Sequence, residues 1–330
     1  MSRLFFREAL ARAMSEEMDR DPRIVLLGQD IAEHGGSYGE TRGLFQRFGP
    51  ARVRNTPVAE EGTVGIAAGA AAAGLRPMAF ITYFDFLMLG LDPLVNYAAK
   101  LRFKSAGQLS APLVVKTTAG AKGQGPTHAQ ALEAWLMGVP GLTVVTPSTS
   151  ADAYGLLKTA LRAPGPVVFI DHKRLFPLGG EVPEGEVLVP FGSAAVRREG
   201  RDVTVVAHSH MSVLAGQAAE ALAREGVEVE SVDLRSLWPI DWDTLAASAR
   251  RTGRVLIVEE GQTVCGVGAE LGFHLRELVP EIEVARLGAR RAPVSSSPAL
   301  EGYVIPDARR IAGAVRDLLR RPRREREVAR

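Results

Sequence analysis

Cysteine is almost absent from this chain, since Cys265 is the only one among 330 residues. A single thiol excludes an internal disulfide and a metal centre built from several thiolates, and it is typical of a reducing compartment. Long apolar runs are missing too: the longest stretch of apolar residues and glycine, residues 64–75, has 12 residues, whereas a membrane-spanning helix needs about 20. Charged residues such as Arg3 and Arg7 interrupt the region where a secretory signal would be apolar. We therefore expect a cytoplasmic protein without a membrane span.

The chain also lacks an excess of charge of one sign. It has 40 basic and 38 acidic residues, which give a formal net charge of +2. Six arginines and two glutamates fall within residues 320–330, so this end carries +4 and the remainder −2. Such a body offers no broad basic surface to nucleic acid. We interpret residues 321–330 as an arginine-rich tail outside the fold.

Strand-like and helix-like segments alternate along the chain. Short β-branched runs predict strands in the first half at residues 24–27, 78–82, 113–117, 143–146 and 167–170. Alanine-rich segments predict helices at residues 60–74, 85–103, 129–137 and 151–162. A second run of the same alternation follows residue 195, so we expect an α/β protein with two parallel-sheet, three-layer domains. These domains would occupy residues 1–180 and 196–320, with a linker rich in proline and glycine at residues 181–195.

Several common catalytic motifs are missing. The sequence contains no P-loop pattern, no GxSxG and no HExxH, so the corresponding chemistries lack their signatures. GVGAELG at residues 266–272 is similar to a dinucleotide-binding loop, but Leu271 stands where its third glycine belongs. His208 and His210 could ligate a metal, but no third ligand lies in local register. We interpret these two histidines as polar loop residues.

The most informative segment is NTPVAEEGTVGIAAGAAAAGLRP, residues 55–77. Glu60 and Glu61 open a predicted helix in which Gly62, Gly65 and Gly69 share one face. Glycine in a helix interior costs about 0.8–1 kcal/mol relative to alanine, so this glycine stripe indicates close approach of another backbone or a flat ligand. Tight helix packing, with the acids complementing the positive helix end, explains the same residues equally well.

Two other segments place rings at predicted strand ends. TYFDF, residues 82–86, concentrates aromatic side chains in a chain with only 6% of them. TTAGAKGQGPTHAQ, residues 117–130, is a glycine-rich loop that brings His128 close to a predicted helix start. Open α/β sheets bind ligands at the carboxyl ends of their strands. This position favours a functional role for His128 over a structural one.

Together these segments resemble the beta subunit of the thiamine-diphosphate-dependent 2-oxoacid dehydrogenases, of the pyruvate, branched-chain and acetoin type, within the transketolase-like superfamily. The similarity runs in order through LFFREALARAM, LLGQD, TPVAEEG, GLRP, PGLTVVTPS, DLRSLWPID and GVGAEL. The resemblance implies oxidative decarboxylation of a 2-oxoacid, or cleavage of acetoin, with transfer of the acyl group to a lipoyl group.

The resemblance also assigns roles to individual residues. Glu60 matches the acid that hydrogen-bonds N1′ of the cofactor's aminopyrimidine ring. Val58 and Phe86 match positions at that ring, and His128 matches the active-site histidine that orients or protonates the substrate. A carboxyl group that exchanges a proton at N1′ activates the cofactor, which is general acid–base catalysis.

In this family, Mg²⁺ and the cofactor's diphosphate are held by a GDG motif on the alpha subunit, and no GDG occurs here. The resemblance therefore implies half an active site, completed by an alpha subunit in an α2β2 heterotetramer. It also implies that the second domain helps to bind a lipoyl-bearing dihydrolipoyl acyltransferase. We expect an isolated chain neither to bind thiamine diphosphate tightly nor to decarboxylate.

Some positions depart from the family pattern. Gln29 replaces a glutamate, which breaks any acid chain between two active sites, and Ala129 removes a hydroxyl beside His128. These changes keep two alternatives open. One is a non-catalytic scaffold that has kept the fold; the other is the C-terminal half of a split transketolase, against which TPVAEEG argues.

A monovalent-cation loop is the last feature that the resemblance implies. Its ligands would be the carbonyls near Leu113, Ala160 and Leu161, together with an aspartate at the position of Ala163. Because alanine supplies no carboxylate for a hard cation, we expect at most a weak site.

Overall fold

A computed structural model describes residues 1–322 of the chain. The predicted arginine-rich tail, residues 321–330, thus lies almost entirely outside the described residues. The first half alternates strands and helices much as its sequence predicts. Its strands are β1 (Ser2–Phe5), β2 (Ile24–Gly28), β3 (Val53–Asn55), β4 (Arg76–Ile81), β5 (Val114–Ala119), β6 (Thr143–Val145), β7 (Val167–His172) and β8 (Gly179–Val182).

The helices of the first half cover these strands. They are α1 (Phe6–Arg20), α2 (Leu44–Phe48), α3 (Glu60–Ala72), α4 (Phe84–Leu87), a 3₁₀ turn (Met88–Gly90), a π-helical turn (Pro93–Ala98), α5 (Leu101–Lys104), α6 (Ala134–Met137) and α7 (Ser150–Arg162). The second half contains β9 (Ala195–Arg198), β10 (Val203–Ala207), α8 (Ser209–Ala223), β11 (Val229–Asp233), β12 (Ser236–Trp238), α9 (Trp242–Thr252), β13 (Arg254–Gln262), α10 (Val267–Leu278), β14 (Glu283–Ala289), α11 (Pro298–Val304) and α12 (Ala308–Arg320).

Seven strands form the first sheet, in the order β12-β6-β7-β5-β4-β2-β3. All neighbours are parallel except β12, which comes from the second half of the chain and pairs antiparallel with β6. Strands β5 and β7 are buried along their whole length, as expected for a parallel sheet covered on both faces. The carboxyl ends of β3, β4 and β5 therefore lie along one edge of this sheet.

Five strands form the second sheet, in the order β14-β13-β10-β11-β9, and only β9 is antiparallel to its neighbour. Strands β1 and β8 make a separate antiparallel ribbon. The predicted linker, residues 181–195, starts within β8 and ends at β9. The predicted α/β class with two largely parallel sheets is confirmed, while the antiparallel edge strands were not predicted.

Helices pack on both faces of the sheets. Helices α1 and α7 bury one face of the first sheet around Tyr154 and Phe169. The opposite face packs on α3 and shares a continuous core with the second sheet, which includes Val168 and Ile257. Helices α8 and α12 cover the outer face of the second sheet around Leu222. None of the helices in residues 1–322 is both long and apolar enough to cross a bilayer.

The helix predicted for residues 85–103 is wrong in one respect, because the chain there is broken into α4, a 3₁₀ turn, a π-helical turn and α5. Gly90 packs closely on α3: a Cβ atom there would lie 2.9 Å from Val64 Cγ2 and 3.3 Å from the Glu60 carbonyl oxygen. Pro93 also lacks the backbone donor that a continuous helix requires. The interruption lets this segment follow the first turns of α3.

Candidate active site

Glu60 lies at the carboxyl edge of the first sheet, as the first residue of α3. Its half-buried side chain lines a small hollow together with Gln29, Thr56 and Val58. Among residues 1–322, no group donates a hydrogen bond to the Glu60 carboxylate. The positive end of α3 favours a carboxylate at this position. The start of α3 therefore places Glu60 at this edge, with its oxygen atoms available to a ligand.

Three rings converge beside the same edge. The centroid of the His128 ring lies 4.7 Å from that of Tyr83 and 5.1 Å from that of Phe86, both in edge-on geometry. His128 Nδ1 is 3.0 Å from Thr127 Oγ1. The structure thus brings together two of the residues singled out by sequence, His128 and Phe86, although 42 positions separate them.

The segment that carries Phe86 also contacts the helix that begins at Glu60. Leu87 in α4 and Val64 in α3 share one hydrophobic core, and Gly90 abuts the Glu60 carbonyl. Val58, which the resemblance places at the cofactor ring, is 68% exposed and lies on the rim of the hollow. These packing contacts place the segment that carries Phe86 against the first turns of α3, the helix that begins at Glu60.

His128 does not lie near a helix start, contrary to the sequence prediction. Helix α6 begins only at Ala134, so the predicted helix over residues 129–137 is mostly a loop. Asp85 anchors this loop: its Oδ1 accepts the Gln130 backbone N–H at 3.2 Å and the Gln130 side-chain amide at 2.9 Å. Local propensity is overridden here by a contact with another segment.

Lys173 is a member of this site that sequence reasoning missed. It follows β7 directly, and its buried ammonium donates hydrogen bonds to the carbonyls of Gly120, at 2.7 Å, and His128. Burial lowers the pKa of Lys173 to about 8, while acidic neighbours such as Asp85 oppose the shift. One signal was available, because β7 is parallel to β5 and their carboxyl ends must meet.

His208 and His210 are not polar loop residues, so that interpretation is wrong. His208 is buried, and the His210 ring stacks on the His172 ring at 4.8 Å. Burial lowers the pKa of His208 to about 4 and that of His210 to about 3. Both imidazoles are therefore neutral near pH 7.

His172, His210 and Glu260 have the composition of a metal site, with ligand atoms within 4.8 Å of one another. However, His172 Nδ1 accepts the backbone N–H of Arg174 at 3.0 Å, so the ring proton resides on Nε2. This Nε2–H faces Glu260 Oε2 at 2.8 Å. A protonated nitrogen has no lone pair for a metal, and we assign the cluster a hydrogen-bonding role.

The glycine stripe of α3 faces an open groove of about 760 Å³, bounded on its other side by Pro93 and Tyr97. A Cβ atom at Gly65 would lie 3.9 Å from Pro93 Cβ, and one at Gly69 would contact nothing within 4 Å. Within the described residues, therefore, no backbone packs tightly on the stripe. Ile66, at 65% exposure, and Tyr97, at 59%, add apolar surface to the groove.

Arg76 occupies the region of the implied cation loop. Its guanidinium donates to the carbonyl of Leu161 at 2.8 Å and to that of Ala163 at 2.6 Å. The carbonyls of Ala160 and Leu113 each accept a backbone N–H. A fixed positive charge and satisfied carbonyls both disfavour a cation at this place.

The fold and the site define a two-domain α/β protein of the transketolase type. Residues 3–178 match the family model for the transketolase pyrimidine binding domain, and residues 192–311 match that for the transketolase C-terminal domain. Within this class, the chain belongs to the family of E1 beta subunits of the 2-oxoacid dehydrogenases. The predicted family is thereby confirmed.

Three relatives illustrate the range of this family. The pyruvate dehydrogenase E1 component subunit beta-2, mitochondrial, of Oryza sativa subsp. japonica is 41% identical over 94% of this chain and 85% of its own length. The beta subunit of acetoin:2,6-dichlorophenolindophenol oxidoreductase of Cupriavidus necator is 38% identical over 96% of this chain and 98% of its own length. The 2-oxoisovalerate dehydrogenase subunit beta of Bacillus subtilis is 38% identical over 96% of this chain and 99% of its own length.

A solved structure described as a split-gene transketolase, inactive beta4 tetramer, superposes with a TM-score of 0.77. The two sequences are 28% identical, and the aligned region covers 95% of this chain and 98% of the chain in the solved structure. The fold alone therefore does not separate an E1 beta subunit from half of a split transketolase, whereas sequence identity is higher to the E1 beta subunits.

Proposed function

We propose that this chain is the beta subunit of an E1 component that decarboxylates a 2-oxoacid, or cleaves acetoin, and passes the acyl group to a lipoyl group. The observation that carries the proposal is the half-buried Glu60 carboxylate, which has no hydrogen-bond donor among residues 1–322, at the sheet edge that also holds the Phe86 and His128 rings. An acid, an aromatic ring and an imidazole at one edge match the needs of thiamine chemistry.

The residues present fit the aminopyrimidine ring of thiamine diphosphate. Glu60 offers a carboxylate without a partner among residues 1–322, Val58 offers exposed apolar surface, and Phe86 offers a ring. When bound, the cofactor supplies the nucleophilic carbon that attacks the substrate carbonyl. We infer that Glu60 holds and exchanges the proton at N1′, Val58 and Phe86 fix the plane of the ring, and His128 orients or protonates the substrate.

We infer further that an alpha subunit completes the site and holds Mg²⁺ with the cofactor's diphosphate, in an α2β2 heterotetramer. The sequence contains no GDG motif for this task. The open groove along the glycine stripe, with Ile66 and Tyr97 exposed, supports a second chain in this region. The exposed side chains of Phe273 and Tyr303 in the second half support an interaction with a lipoyl-bearing dihydrolipoyl acyltransferase there.

Co-expression with a GDG-containing partner chain tests the proposed function. The purified complex, with thiamine diphosphate and Mg²⁺, should reduce an artificial dye in the presence of pyruvate, a branched-chain 2-oxoacid or acetoin. Ketol transfer between sugar phosphates, without dye reduction, would instead identify a split transketolase, which the similarity to that structure keeps as a second candidate. A complex that shows neither activity would leave the scaffold alternative.

The implied cation loop leads to a stability prediction. Because Arg76 already donates to the Leu161 and Ala163 carbonyls, we infer that a monovalent cation binds weakly there. Replacing 100 mM choline chloride by 100 mM potassium chloride should raise the free energy of unfolding by less than about 0.5 kcal/mol. A gain of this size corresponds to a dissociation constant for potassium near or above 100 mM. Thermal unfolding at constant ionic strength measures this difference, and a larger, potassium-specific gain would contradict the inference.

Location is also a proposal. The lone Cys265, which is exposed, is typical of a reducing compartment, and we infer that the chain acts in the cytoplasm. Cell fractionation with an antibody against the chain tests this inference.

A further inference from the structure

The loop that carries His128 has little secondary structure of its own. The backbone hydrogen bonds donated by Gly120 and His128 are long. The Gly120 N–H donates to the Gln130 carbonyl at 3.5 Å, and the His128 N–H donates to the Gly125 carbonyl at 3.3 Å. Gly120, Gly123 and Gly125 adopt positive φ angles, which glycine reaches readily but does not enforce. The conformation of this loop therefore depends on contacts from outside it.

Charged side chains supply those contacts. Lys173 ties the two ends of the loop together through the carbonyls of Gly120 and His128. Glu260 Oε1 accepts the Ala121 N–H at 2.7 Å, and Glu301 Oε2 accepts the Gly123 N–H at 2.5 Å. These are ionic hydrogen bonds to backbone groups, which are shorter and stronger than neutral ones.

The two carboxylates come from the second half of the chain, Glu260 from β13 and Glu301 from α11. Their side chains are only 7% and 8% exposed. Arg174 connects the two halves, because its Nε donates to the Ala121 carbonyl at 2.8 Å and its Nη2 to Glu301 Oε1 at 2.6 Å. The carboxylate of Glu301 thus bridges a loop N–H and a cation from the end of β7.

We propose that Glu301 is a positioning residue for the reaction: from the second domain, and together with Glu260, it sets the place of the His128 loop. That this placement serves the reaction rests on the proposed function; that Glu301 holds the loop does not. Loss of one buried ionic hydrogen bond should raise the population of the open loop about 10- to 100-fold.

The exposed Lys122 provides a readout that is independent of activity. In limited trypsin digestion followed by mass spectrometry, Glu301→Ala should accelerate cleavage after Lys122 about tenfold or more, since cleavage tracks the open population. Glu301→Gln, which keeps an acceptor for the Gly123 N–H, should restore part of the protection. Glu225→Ala is the matched control. Glu225 is also a glutamate of the second half that pairs with an arginine, Arg316, but this ion pair is exposed.

Activity of the co-expressed complex provides the second readout. Glu301→Ala should lower kcat about tenfold or more with little change in KM, whereas Glu225→Ala should behave like the unmodified chain. Unchanged cleavage after Lys122 would overturn the proposal, whether or not kcat falls. Should far-UV circular dichroism show that Glu301→Ala is unfolded, Glu301→Gln is compared with the unmodified chain instead, and cleavage after Lys122 should still be faster because the ionic hydrogen bond has become a weaker neutral one. If Glu301→Ala speeds cleavage after Lys122 but the complex never consumes a 2-oxoacid, Glu301 still holds the loop in place, whereas the proposed function is rejected.

Discussion

Replacing Glu60 by glutamine is expected to lower 2-oxoacid-dependent dye reduction by the reconstituted complex at least about 100-fold. Glutamine keeps the size of the side chain and an acceptor oxygen, but it cannot exchange a proton at N1′ of the cofactor. The half-buried carboxylate has no hydrogen-bond donor among residues 1–322, so the substitution breaks no internal hydrogen bond within that range. The expected loss is therefore one of catalysis rather than folding.

Glu61 provides the control for this experiment. It is the next residue of α3, also in the first turn, but it is exposed. Glu61→Gln removes the same charge from the same helix end, an effect worth about 0.3–1 kcal/mol at an exposed site. Dye reduction should remain close to that of the unmodified complex. Full activity in Glu60→Gln, or an equal loss in both variants, would reject the acid–base role of Glu60.

The strands were largely predictable from sequence because parallel strands buried on both faces read as continuous β-branched runs. The strand predicted at residues 167–170, for example, lies wholly within β7. Helix α3 likewise begins at Glu60, where two acids meet an alanine-rich segment. Strand β12 was not predictable in the same way, since its partner β6 lies in the other half of the chain.

The groups around the site were harder to predict because they depend on contacts between distant segments. Glu260 and Glu301 lie 139 and 178 positions from the loop residues that they hold. Lys116 stands in the middle of β5, where a charged side chain suggests solvent, yet it is buried between Glu40 and Asp171 at 3.1 and 3.0 Å. Paired burial of charges has no signature in local sequence.

The position of Gln29 sharpens the question of how two active sites communicate. Its side chain lines the same hollow as Glu60, and its amide donates to Asp30 at 3.3 Å. A neutral amide cannot pass on a proton, so a relay through this residue is interrupted. The proton exchange proposed for Glu60 itself needs no such relay, which is why the departure at Gln29 is compatible with an active enzyme.

The isolated chain should bind thiamine diphosphate far more weakly than the complex does. By our assignment, this chain contacts only the aminopyrimidine ring, through Glu60, Val58 and Phe86. At about −0.3 kcal/mol per non-hydrogen atom, a ring of about ten such atoms contributes about −3 kcal/mol, which corresponds to a millimolar Kd. The diphosphate carries several negative charges, and no GDG motif is present to hold its Mg²⁺.

Titration calorimetry with Mg²⁺ present measures this difference directly. The free chain should give no detectable heat at micromolar cofactor, while the complex with a GDG-containing partner should saturate. Adding the partner to the free chain should then restore both binding and dye reduction, because each chain supplies the contacts that the other lacks. Micromolar binding by the free chain would contradict the divided site, since it would require diphosphate ligands within this chain. Glu60→Gln in the complex completes the argument: if the diphosphate provides most of the binding energy, this variant should lose activity but retain the cofactor.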